Sequence, residues 1–132
     1  MTTEGDLKKA CLAALGKLGV FAMGNAQSTT SLRGSAGLGK GSPDIVVVLP
    51  PIGVLVAIEL KMPKGHVSED QRAWQTKFER EGGQYFVCRS PQEVVDSVFT
   101  ARAKIQATTR VVERPSTPGT MRVRIARKGG SF

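Results

Sequence analysis

Three residues stand where their types and spacing could do chemistry: Asp44 in GSPDIVVVL, and Glu59 and Lys61 in VLVAIELK. They lie in two β-branched runs, residues 44–50 and 53–61, separated by Pro-Pro-Ile-Gly, which predicts a hairpin turning at 50–53. In that register Ile45 faces Ile58, Val47 faces Val56 and Leu49 faces Val54, giving one wholly apolar face. The other face pairs Val48 with Leu55, Val46 with Ala57 and Asp44 with Glu59, and alternation puts Lys61 on the side of Glu59. Directly opposed carboxylates have Cβ atoms about 4.5–5.5 Å apart and repel one another. A magnesium or manganese ion resolves that conflict, because such hard cations take one or two carboxylates together with water and a phosphate. A lysine two residues on is placed to orient or deprotonate an attacking water, or to neutralise charge building on phosphate. Singly, Glu-x-Lys is a common surface ion pair and Asp after Pro a common turn. Their conjunction points to chemistry.

The elements that must position these residues follow from patterning. Residues 3–19 predict a helix with Leu7, Cys11, Ala14, Leu15 and Leu18 on one face, Thr3 and Asp6 as a capping box and Gly19 as its stop. A short strand at 20–23 and a polar, Gly-rich loop over 25–43 lead to the hairpin. SEDQRAWQTKFEREGG, 68–83, predicts a second helix capped by Ser68 and Gln71, with Glu69 and Asp70 at its positive end. QYFVCR, 84–89, is a strand, and SPQEVVDSVFTARAKI opens a third helix with Ser90 as cap and Pro91 at its first position. Its apolar stripe reads Val94, Val95, Val98 and Phe99. The order α-β-β-β-α-β-α predicts an α/β fold, a small mixed sheet flanked by helices. Beyond about residue 104 the periodicity fades, so the domain is expected over 1–104 and a separate basic arm over 105–132.

The loop GSAGLGKGSPD comes close to a nucleotide-binding P-loop, with Gly34, Gly39 and Lys40 in place. Position 41 is glycine where that motif needs a hydroxyl, and the loop runs into a strand rather than opening a helix. No nucleotide cofactor is expected. No run approaches about 18 consecutive apolar residues, so no transmembrane helix is expected. The start, MTTEGDLKKA, carries acids where a secretory signal needs an apolar stretch, so export is not expected. Cys11 and Cys88 lie in apolar stretches without metal-ligand spacing and read as reduced, buried thiols in a cytoplasm. The formal net charge is +8, and residues 101–132 hold 8 Lys/Arg against 1 Asp/Glu. That asymmetry reads as an arm for a polyanion, with Arg122, Arg124, Arg127 and Lys128 as its DNA-binding candidates.

With those residues in view, the chain resembles the PD-(D/E)xK nuclease superfamily through Ser-Pro-Asp and Glu-Leu-Lys. With VSEDQRAWQTKFEREGGQYFVCRS added, it is similar to the viral-type replication-repair nuclease (VRR-NUC) domain over about residues 3–100. The resemblance implies a magnesium- or manganese-dependent DNA endonuclease. Asp44 and Glu59 match the metal-binding acids, the Leu60 carbonyl a further ligand, and Lys61 the catalytic lysine. Gln71 matches a helix glutamine that supports the lysine and its water, and competes with its reading as a cap. Glu4 matches a first-helix acid that joins the metal site, and competes with its reading as a favourable charge at a helix N-terminus. Arg33 and Lys40 read either as grips for DNA phosphates or as a solvated loop. His66 reads as incidental and Trp74 as core. The resemblance further implies branched DNA as the substrate, a four-way junction above a flap, a homodimer matching a two-fold junction, and a phage-related protein in a bacterial host's cytoplasm. The competing class is a non-catalytic DNA-binding protein, against which every motif position carries a chemically competent residue.

Overall fold

Helix α1, Glu4–Leu18, begins where sequence patterning places it. Thr3 Oγ1 accepts from the Asp6 amide, Asp6 returns the bond to the Thr3 amide, and left-handed Gly19 ends the helix. A computed structural model describes residues 2–26 and 38–112 of the chain. Four strands follow, β1 Phe21–Gly24, β2 Ile45–Leu49, β3 Val54–Leu60 and β4 Gln84–Cys88, with α2, Glu69–Arg80, between β3 and β4 and α3, Pro91–Val112, after β4. The strands lie in the order β1-β2-β3-β4. The hairpin register is the expected one: Ile45 opposite Ile58, Val47 opposite Val56 and Leu49 opposite Val54. β1 and β2 are antiparallel, whereas β3 and β4 are parallel because α2 carries the chain back across the sheet. This is the α/β fold that the patterning predicts.

Alternation divides the sheet into two unlike faces. Ile45, Val47, Leu49, Val56, Ile58 and Leu60 point to α1 and α3 and form the core with Leu7, Cys11, Leu15, Val94, Val98, Ala101 and Ile105. Cys88 belongs to the same core, and burial pushes its thiol up to about 11, which keeps it protonated. The other face carries Val46, Ala57 and Glu59, and α2 covers the part of it near β4. Trp74 stacks on Phe78 at 4.8 Å between centroids and leans on Tyr85 at 6.3 Å, so it serves packing, as expected. Because α2 lies at the sheet's margin, none of its residues is fully buried.

Two features differ from the sequence reading. Phe99 stands 54% exposed, because the buried stripe of α3 runs Val94, Val98, Ala101 and Ile105, and Phe99 falls one position off it. α3 itself continues to Val112, through the boundary drawn at residue 104. Buried Ile105 explains the extension, since it holds the helix to the core where the apolar period thins. Among the described residues no helix is long and apolar enough to cross a membrane.

Candidate active site

The hairpin ends at the pair of acids. Asp44 precedes β2, and its Oδ2 accepts a hydrogen bond of 2.8 Å from the Leu60 amide, so the carboxylate reaches across to the partner strand. Glu59 sits on β3, only 4% exposed. Its Oε2 accepts from Gln71 Nε2 at 2.9 Å and lies 3.6 Å from the ammonium of Lys61. Its Oε1 is buried with no hydrogen-bond partner among the described residues. Burial pushes the Glu59 carboxyl up to about 8; the neighbouring charge of Asp44 adds to this, and Lys61 opposes it only in part.

Four of the candidate residues therefore converge: Asp44, Glu59, Lys61 and Gln71. Leu60 joins them through its amide. Gln71 reconciles its two competing readings, because a carboxamide has an acceptor and donors at once. Its Oε1 accepts from the Ser68 amide at 2.9 Å and completes the capping box, while its Nε2 holds Glu59. It supports the acid rather than touching the lysine. Lys61 is placed by its backbone, whose amide donates to the Cys88 carbonyl at 3.0 Å. Arg89 secures the chain just beyond, donating from Nη1 to the Met62 carbonyl at 2.6 Å.

Other candidates are placed elsewhere. Glu4 is exposed in the first turn of α1, and no group of three or more metal-ligating side chains that would include it with the acid pair occurs among the described residues. Lys40 is exposed but paired, its ammonium 3.3 Å from Asp70 Oδ2 at the start of α2. His66 is exposed in the loop between β3 and α2. Arg33, Arg122, Arg124, Arg127 and Lys128 lie outside the described residues.

Sequence reading missed Asn25 and Gly41. Asn25 immediately follows β1, within the span that patterning reads as a polar loop, although a lone carboxamide between a strand and a glycine-rich stretch is itself a turn-forming signal. Gly41 adopts a φ of 83°, and a Cβ there would run into the backbone carbonyl of Asp70. Gly41→Ala should therefore destabilise the fold by on the order of 2 kcal/mol. It should also slow any chemistry at Glu59 by displacing the first turn of α2, which carries Gln71. Urea denaturation and an activity assay check this, with Gly16→Ala, whose Cβ would meet open space, as the control.

The donor set fits a hard divalent cation. Two carboxylates supply oxygen, one of them has a buried oxygen with no hydrogen-bond partner among the described residues, and a cation bound there would stabilise the charged form of Glu59 that burial, and then Asp44, disfavour.

A family model described as the VRR-NUC domain matches residues 8–92. A solved structure described as a VRR_NUC domain is 25% identical, with a TM-score of 0.53, over 74% of this chain and 96% of its own. No curated protein matches the chain.

Proposed function

The chain belongs to the VRR-NUC domain family of nucleases, and from that premise we propose a divalent-cation-dependent endonuclease of the PD-(D/E)xK type that cuts branched DNA, with the four-way junction as its substrate. The observation that carries the proposal is the meeting of Asp44, Glu59 and Lys61 at one end of the hairpin, with the buried Oε1 of Glu59 lacking a hydrogen-bond partner among the described residues. A magnesium or manganese ion, when bound, supplies Lewis acidity, drawing charge from the phosphodiester and making water more acidic. Asp44 and Glu59 would hold it, with the Leu60 carbonyl as a further donor. The Leu60 amide fixes the reach of Asp44, and Gln71 fixes the rotamer of Glu59. Lys61, mostly shielded from solvent, holds its ammonium where it orients the attacking water or offsets charge on the phosphoryl oxygens. Water attacks phosphorus in line and gives a proton to solvent, the bond to the opposite ester oxygen breaks, and that oxygen takes up a proton from solvent to leave as a hydroxyl. Glu4 has no part in this reading.

Branched DNA is favoured by two features. The family domain accounts for residues 8–92, and a two-fold junction suits a homodimer carrying two such sites. The basic residues of the C-terminal segment add affinity for phosphate. The test is cleavage of a labelled four-way junction, a flap and a plain duplex side by side with magnesium or manganese. Paired nicks on the junction are expected. Cutting confined to the flap would replace the substrate while keeping the site, and no cutting of any DNA would remove the enzyme reading.

A further inference from the structure

Asn25, immediately after β1, is 8% exposed, and all four of its polar atoms are engaged. Its amide donates to the Asp44 carbonyl at 2.8 Å, and its own carbonyl accepts from Lys8 Nζ at 2.7 Å. Its side-chain Oδ1 accepts from the Leu38 amide at 3.1 Å, while Nδ2 donates to Ser42 Oγ and to the Pro43 carbonyl, both at 2.8 Å. These partners come from α1 and from the segment leading into β2, so one carboxamide ties together the two described ends of the loop. An aspartate could not do this, because it lacks the two Nδ2 donations; a longer or apolar side chain would lack the geometry or the polarity.

The consequences reach both acids. Asp44 has its backbone fixed by Asn25 and its carboxylate fixed by Leu60. Ser42, 2% exposed, donates onward to the Gly39 carbonyl, which shapes the turn at 39–41. That turn lies against the first turn of α2, through Lys40 and Asp70 and through the close approach of Gly41 to the Asp70 carbonyl. The residue after Asp70 is Gln71, which holds Glu59.

We propose that Asn25 is a positioning residue for the acid pair, its carboxamide a clasp that sets Asp44 through the adjoining Ser42 and Pro43, and Glu59 through the 39–41 turn and Gln71. The proposal rests on the reading of Asp44 and Glu59 as the cation-binding acids. Its observables are the cation midpoint and the turnover rate, with affinity for DNA unaffected.

The test compares wild type, Asn25→Asp and Ser42→Ala. It measures the manganese concentration that half-saturates thermal stabilisation, and kcat and KM on the DNA that wild type cuts. For Asn25→Asp the manganese midpoint should rise and kcat should fall, each by about 10- to 100-fold, as for other residues that orient metal ligands. KM should stay within about twofold of wild type. Ser42→Ala, which keeps the Pro43 bond, should move both in the same direction by less, and it decides the matter if Asn25→Asp does not fold. Folded variants with wild-type midpoint and kcat would overturn the clasp. So would a raised KM with both unchanged, which would make Asn25 a DNA contact. If wild type neither responds to manganese nor cuts DNA, the nuclease reading itself fails and the clasp falls with it.

Discussion

Replacing Lys61 with methionine should lower DNA cleavage by about 10²- to 10⁴-fold while leaving DNA binding near wild type. Methionine keeps an unbranched stem of similar length and removes only the charge and the proton donors. The lysine is not a mobile surface cation: its backbone is pinned to β4 through the Cys88 carbonyl, and its ammonium rests 3.6 Å from Glu59 Oε2. It therefore contributes where charge develops during the reaction more than to the general attraction of DNA, which is supplied by the many other basic residues. Single-turnover cleavage and a gel-shift titration separate the two roles. Loss of binding in step with loss of cleavage would assign Lys61 to affinity instead.

The second large effect is a gain in stability. Glu59→Gln should abolish cleavage and, in chelator near pH 8, stabilise the fold by on the order of 3 kcal/mol. The sign follows from the direction of the shift. The carboxyl of Glu59 sits at about 8 in the native protein against an ordinary 4.5, chiefly from burial and then from Asp44. Between those values the native state keeps a proton that the unfolded chain has released. Stability is thus full below about pH 4.5 and is lost as pH rises through about 8. Glutamine carries no such charge, can still accept from Gln71, and offers Asp44 a donor. Its denaturation midpoint should therefore vary less with pH than that of wild type. Magnesium should restore much of the wild type's loss and do little for the variant, because a ligand that binds only the native state stabilises it. Equal pH slopes in the two proteins would show that the buried carboxylate carries no such strain.

These effects arise from features of unequal legibility. The hairpin register and the convergence of Asp44, Glu59 and Lys61 could be read directly, because the Pro-Pro-Ile-Gly turn and strict alternation leave one arrangement that buries Ile45, Val47 and Val56. The capping boxes of α1 and α2 were equally legible, being contacts three residues apart. Gln71 was legible as a cap or as a site residue but not as both, since its contact with Glu59 depends on how α2 is set over the sheet. Glu4 looked like a third acid by family resemblance, yet its place at the exposed start of α1 is fixed by the packing of Leu7, Cys11 and Leu15 on the opposite side of the sheet. Asn25 was legible as a turn former but not as a clasp, for the same reason: its side-chain partners lie 13 to 18 residues away in the sequence. The exposure of Phe99 was a matter of phase, a single residue's rotation around α3.

The central claim is that the Asp44 and Glu59 carboxylates hold a cation that makes this hairpin end a nuclease. It is tested most directly by the cleavage rate of a labelled four-way junction across a magnesium titration, for wild type and Asp44→Asn, with a chelator control. The account predicts a saturating rise for wild type, no cleavage in chelator, and a flat response in the variant. Cleavage that persists in chelator, or that Asp44→Asn supports at the wild-type rate, would contradict it.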